Sequence, residues 1–352
     1  ATYRSRRYFD LMRNFRRLSW LPVYLFGASP AVCKSFVQGR AHELDEFTEG
    51  SLYGPGATSL RSGRLGYQSE TQGGVLGICY NGLDWYVSAL ANAICTTFPK
   101  YRALGLVDSG EQLQVNDSIL QSEAEFYTNI RAKCVPPPGG NFLKALKQNG
   151  VEYLEVRLLD VNPYLPLGID EAQIRFLDML LLYCLLTDSP EHDEVLCKKV
   201  GDNMQNVVWR GRDPSLRLDD NGQNRTLGDW GNEILDALVP IASAMDEVHQ
   251  SGDYARSLAD QRSRVASPGE TPSGRMLEDM RQDDIPYFRF ALNRAAEHNR
   301  AFREDPLSSA DAALFAELAA RSVEAQHEIE QADDVDFETY LARVNGEYRD
   351  LL

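Results

Sequence analysis

The chain has 352 residues, with 36 Lys and Arg against 52 Asp and Glu, a formal net charge of -16 at pH 7. Nucleic-acid binding needs clustered basic side chains, so this balance excludes it as a main function. A hydrophobic content of 43% with 25% charged residues suits a globular protein with a large core. The longest apolar run, Met179 to Leu186, is far too short to span a bilayer, so the expectation is a cytoplasmic protein with no membrane partner.

In chain order, the first seventeen residues hold six arginines (Arg4, Arg6, Arg7, Arg13, Arg16, Arg17) against Asp10 alone. With Phe9, Met12 and Phe15 interleaved, they predict an amphipathic helix whose basic face meets acidic protein surface. Gly73-Gly74-Val75-Leu76-Gly77 lacks the Gly-Lys-Ser/Thr of a P-loop and the spacing of a dinucleotide fingerprint, and reads as a turn before a strand. Glu123, Glu125 and Tyr127 read as alternate positions on one strand face. Pro136-Pro137-Pro138-Gly139-Gly140 must be a loop, with a helix expected after it.

The next strand, Gly150 to Asp160, carries the chemistry. Leu154, Val156 and Leu158 occupy one face and would pack into a core, while Glu155 and Arg157 share the other. An acid and a guanidinium two residues apart on one rigid strand could hold a metal ion and a phosphate side by side. The plainer reading is a half-exposed strand whose outer face is simply wet.

Asp170 and Gln173 form a capping box for a buried helix running to about Thr187. A polar, glycine-bearing stretch from about Arg210 to Asn232 then separates the sheet region from helical periodicity. Ile234, Leu235, Leu238, Ile241 and Met245 mark one helix, with Pro240 expected to kink it. A loop at Ser267 to Ser273 and helices near Ile285 to Phe302 and Ala310 to Gln331 follow. The six cysteines form no Cys-x-x-Cys and read as reduced thiols. The five histidines have no ligand spacing and read as surface or capping residues.

Five blocks in register carry a family resemblance: Tyr24 to Ala31; Ala57 to Arg61 with Leu65-Gly66-Tyr67; Leu120 to Tyr127; the Glu155 strand continuing through Asp160-Val161-Asn162-Pro163; and Asp170 to Asp178. In this order they resemble the proteobacterial type of glutamate-cysteine ligase. The resemblance implies an α+β fold similar to glutamine synthetase, an antiparallel sheet forming a substrate cleft flanked by helices, with a mostly helical C-terminal region. It implies residues 1–210 as the C-terminal portion of the catalytic domain and 211–352 as the helical region of the same enzyme.

The implied reaction is phosphorylation of the glutamate side chain by ATP, followed by attack of the cysteine amine, the first step of glutathione biosynthesis. Glu155 matches the family's metal ligand on this strand and Arg157 the arginine beside the transferring phosphoryl group. Arg61 matches the arginine engaging a substrate amino acid, and Tyr67 and Tyr127 match tyrosines lining the cysteine pocket. Taken alone, Arg61 would read as surface and the tyrosines as packing. The implied cofactor is magnesium, or manganese in its place, with ATP as co-substrate; the implied partners are glutamate, cysteine and ATP, bound by a monomer. Arg131, Lys133, Ser273 and Arg275 are candidates for phosphate contacts. Family members carry an upstream segment with further acidic ligands and a His-Tyr-Asn motif, neither found here, so the chain is expected to be a fragment inactive alone. A ligase for another amine and a catalytically dead remnant are the rival readings.

Overall fold

The computed structural model describes residues 2–66, 78 and 80–352. Phe9, Met12, Phe15 and Leu18 are buried along the first helix, Thr2–Leu18, as its amphipathic pattern predicts. Its arginines find fewer acids than expected. Arg17 pairs with Asp220, and Arg7 and Arg13 pair with Asp10, but Arg7 also bonds the carbonyl of Leu185 and Arg13 those of Tyr80 and Ser189, both at 2.9 Å. Asn14 adds Nδ2 bonds to the carbonyls of Cys184 and Thr187 at 2.9 and 3.2 Å. The helix Glu171–Leu186 ends there, and its last carbonyls have no partner within the helix. Packing a basic helix against that end satisfies both.

The Glu171–Leu186 helix starts on the expected capping box, with Asp170 accepting from the Gln173 N–H at 2.8 Å and the Gln173 side chain accepting from the Asp170 N–H at 3.3 Å. Phe176, Met179, Leu180 and Cys184 bury one side of it. They join Phe9, Met12 and Phe15, the wholly buried helix Trp20–Phe26, and Trp230, Ile234, Leu235 and Leu238 in one continuous core.

The fold is α+β. From Leu227 onward it is helical: Leu227–His249 runs through Pro240, followed by Asp253–Ala266, Pro272–Gln282, Tyr287–Glu304, Ser309–Ala332 and Phe337–Arg349. The expected loop at Ser267 to Ser273 is cut short because Thr271 accepts from the Gly274 N–H and caps a helix. Among the described residues strand pairing is antiparallel but in small pieces, one sheet of three strands and three of two. The strand expected to line the cleft is Tyr153–Val156, paired with Ile130–Lys133, and the helix expected before it is Phe142–Asn149.

Glu123 and Glu125 do not lie on a strand. They occupy a single 3-10 turn, because the Glu125 carboxylate accepts the Gln121 N–H at 2.8 Å and Glu123 accepts from the Tyr348 hydroxyl; an acid bonded to nearby backbone competes with a sheet ladder. The polar stretch after Arg210 is also more than a spacer. Arg217–Asp220 and Gln223–Thr226 form a hairpin across Asn221-Gly222, whose φ values of 53° and 91° are those a type I′ turn requires. The Asn-Gly pair announced it in the sequence.

Among the cysteines, Cys33, Cys95, Cys134 and Cys184 are free, while Cys197 is disulfide-bonded. Cys79 and the Gly73 to Gly77 segment lie outside the described residues. His192 is a buried histidine, not a surface one; Asn81 brackets its backbone, donating to its carbonyl at 2.8 Å and accepting from its N–H at 3.0 Å. Burial, then the charges of Arg16, Arg13 and Arg17, lower its pKa from 6.5 to about 4. Between these two values the unfolded chain binds a proton that the folded chain does not, so stability rises with pH across this window. Stability should therefore fall as pH drops from 6.5 through about 4, and His192→Gln should flatten that slope in urea titrations. An unchanged slope in His192→Gln would sink the assignment.

Candidate active site

The candidate site is built on the Ile130–Lys133 and Tyr153–Val156 pair. Arg131 stands opposite Glu155 and Lys133 opposite Tyr153, and residues directly opposite in an antiparallel pair project to the same face. That face carries Arg131, Lys133, Tyr153 and Glu155. Arg157 continues it, its N–H donating to the Asn129 carbonyl at 2.9 Å. On the reverse face Ile130 and Ala132 are buried, and Leu154 and Val156 pack against the main core. The alternation expected from the sequence holds.

Glu155 sits among cations without a tight partner. Lys133 Nζ is 3.8 Å from one carboxylate oxygen and Arg157 Nε 3.7 Å from the other, both beyond hydrogen-bond reach. Oε2 is buried and has no hydrogen bond. Arg131 is more deeply held, its Nη2 donating to the carbonyls of Ala124, at 3.0 Å, and Phe126. Burial and the charge of Arg157 lower its pKa. The face therefore presents three cations to one carboxylate.

Two cavities share these cations, Arg131 and Lys133 in the wall of one and Arg157 in the wall of the other. A cavity of about 320 Å³ is lined by Arg131, Lys133, Cys134, Glu123, Phe142 and Tyr153. A smaller one of about 130 Å³ is lined by Arg16, Arg61, Arg157, Tyr127, Asn129 and Ser19 among others, with no acid among the described residues of its wall. Three of the residues singled out in the sequence, Arg61, Tyr127 and Arg157, thus share one cavity. Glu155 lines neither. Tyr67 lies outside the described residues. Ser273 is buried beside Thr271, and Arg275 stacks on Tyr164 at 4.3 Å, so neither gains support as a phosphate contact.

Each wall of the small cavity is held by its surroundings. Arg16 lies over the Tyr80 ring at 4.5 Å, and the Tyr80 hydroxyl bonds that of Thr128 at 2.8 Å. Asn129 donates to Ser19 Oγ at 2.7 Å, fixing the segment that carries Tyr127 to the break between the first two helices. Tyr127 itself is exposed, in the link between the Glu123–Glu125 turn and the Ile130–Lys133 strand and not on a strand. Arg61, in a 3-10 turn, donates Nε to Asp160 at 2.7 Å and Nη2 to the carbonyls of Leu158 and Leu159 at 3.3 and 2.7 Å. It is not the plain surface arginine its sequence context suggests.

Arg16 and Asp160 carried no assigned role in the sequence. Arg16 was one of six arginines on a basic helix, and only the fold distinguishes it. Asp160 lies four residues past the strand Tyr153–Val156, and its donors come from segments remote in the chain.

The description of the family model that matches residues 1–207 is glutamate-cysteine ligase. A glutamate-cysteine ligase of Pseudomonas paraeruginosa is 43% identical over 340 residues, covering 97% of this chain and 64% of that protein. One from Alcanivorax borkumensis is 44% identical over 345 residues, covering 97% and 66%. The crystal structure of glutamate-cysteine ligase from Francisella tularensis in complex with AMP superposes with a TM-score of 0.91 at 32% identity, over 99% of this chain and 68% of that one. The chain thus spans a little under two thirds of the length of these curated relatives. Among the described residues no helix is long and apolar enough to cross a membrane.

Proposed function

The chain belongs to the glutamate-cysteine ligase family, and on that premise we propose that it carries part of the site of an ATP-dependent ligase joining the glutamate side chain to the amine of cysteine. The glutamate carboxylate attacks the terminal phosphorus of ATP, and ADP leaves. The cysteine amine then attacks the acyl carbon of γ-glutamyl phosphate, and phosphate leaves. The product, γ-glutamylcysteine, is that of the first step of glutathione biosynthesis, carried out by a cytoplasmic monomer.

The observation that carries this reading is the cavity walled by Arg16, Arg61 and Arg157, with no acid among the described residues that line it, and the Glu155 carboxylate 3.7 Å from Arg157. Such a cavity favours anionic guests, here the carboxylates of an amino acid and a phosphoryl group. Arg61 binds a substrate carboxylate with its planar fork, and Tyr127, with Tyr67, lines the cysteine site. Arg157 stabilises charge developing on the transferring phosphoryl oxygens. Arg131 and Lys133 hold nucleotide phosphates; the AMP complex of the Francisella relative supports a nucleotide site, and the cationic wall of the larger cavity supports these two residues for it.

Magnesium, with manganese as the alternative, suits Glu155 as one oxygen ligand, since such ions are often held by one or two carboxylates plus phosphate oxygens and water. When bound, the ion would offset phosphate charge. Among the described residues there is no group of three or more His, Cys, Asp or Glu that could hold an ion alone.

The test is ADP release by the whole product of the reading frame that encodes this chain, given ATP, magnesium, glutamate and cysteine. Release requiring both amino acids is the expected result. Faster release with another amine would move the chain to a ligase of different acceptor. Nucleotide binding with no ADP release under any pairing would leave a binding remnant.

A further inference from the structure

We infer that Asp160 is a positioning residue for substrate binding, acting through Arg61. The inference rests on the proposed role of Arg61 as a carboxylate binder and adds what sets that guanidinium in place.

Asp160 has a side chain only 3% exposed, and it accepts four hydrogen bonds. Oδ2 takes the Ala28 N–H and the Ser29 hydroxyl, both at 2.8 Å. Oδ1 takes the Ser59 hydroxyl at 3.0 Å and Arg61 Nε at 2.7 Å. That fills the acceptor capacity of a carboxylate, two donors to each oxygen. The four donors come from three stretches of chain: Ala28 and Ser29 from the loop leaving the Trp20–Phe26 helix, Ser59 from the run into the Arg61 turn, and Arg61 from the turn itself.

The joint is tight. Ser29 and Ser59 form an isolated parallel bridge, Leu60 donates its N–H to the Ser29 carbonyl at 2.8 Å, and the Arg61 N–H donates to Ser29 Oγ at 3.2 Å. Gly27 permits the approach, because a Cβ there would lie 2.6 Å from the Val23 carbonyl oxygen and 2.7 Å from that of Thr58. Asp160 also lies three residues beyond Arg157, on the chain that leaves the Tyr153–Val156 strand. One buried carboxylate therefore sets the plane of Arg61 relative to Arg157 across the shared cavity.

A salt bridge that served the fold alone would not predict which Michaelis constant moves. In the active protein, Asp160→Asn keeps the shape but places an amide N–H₂ against donors, and it should raise the KM for one amino acid at least tenfold with the KM for ATP unchanged. Arg61→Ala should raise the same KM. In the double variant the two losses should not multiply, because Asp160 acts through Arg61, and Asp160→Glu should recover part of the loss. A shifted KM in Arg61→Ala with none in Asp160→Asn, or losses that multiply in full, would overturn the positioning role alone. Unchanged amino-acid KM values in Arg61→Ala would overturn the reading of Arg61 and the role of Asp160 with it. If Asp160→Asn does not fold, the Nε–H proton of Arg61 in the unaltered protein decides: slow exchange with solvent supports the contact, and free exchange overturns it.

Discussion

Arg157→Ala should lower kcat by a factor of about 100 to 1,000, corresponding to roughly 3 kcal/mol of barrier, while leaving the protein folded. Both halves follow from how the residue is held. Its backbone N–H carries the bond to the Asn129 carbonyl, which alanine keeps. Its side chain is about a third exposed and stands 3.7 Å from Glu155, too far for a strong hydrogen bond. An exposed pair of that kind contributes about 1 kcal/mol or less to stability. A guanidinium held so loosely in the resting protein, in a cavity with no acid among its described lining residues, is available for charge that appears only as the phosphoryl group moves. Steady-state kinetics beside thermal unfolding would show the split. Near-normal kcat in a folded Arg157→Ala protein would remove the residue from the chemistry.

The same contrast shows what the sequence could and could not reveal. Local pattern was enough for the alternation of Glu155 and Arg157 with Leu154 and Val156, for the Asp170 capping box, and for the long helices near Tyr287–Glu304 and Ser309–Ala332. These features depend on residues within a turn or two of one another. The Asn221-Gly222 hairpin was equally local and was passed over because its flanking residues are polar, masking the strand signal.

The assembly of the site is a different matter. Arg61 and Asp160 are 99 positions apart, and Asp160 and Ala28 are 132 apart. No periodicity links them, so Asp160 looked like the end of a strand and Arg16 like one arginine of six. Family resemblance could point to Arg61 but not to what orients it. The turn at Glu123–Glu125 failed for a related reason: an i, i+2 spacing of acids fits a strand face, and only the partners found by the carboxylates show otherwise.

Trp230→Ala should be the most damaging single change to stability, costing about 3–5 kcal/mol of a total on the order of 5–15 kcal/mol. Trp230 is 2% exposed, and its ring packs tilted against Trp20, centroid to centroid 4.9 Å. Arg17 and Arg225 lie over it at 5.7 and 5.9 Å. These contacts tie the Leu227–His249 helix to the break between the first two helices, next to Ser19, which accepts from Asn129 at the cavity wall. Truncation removes a large buried surface and leaves a void that a close-packed core cannot close. In urea the unfolding midpoint should fall with the slope unchanged, since both states keep their compactness. A loss below about 1 kcal/mol would mean that the C-terminal helices lean on the site-bearing core without sharing it, and the arginine cavity should then keep its substrate affinity when they are loosened.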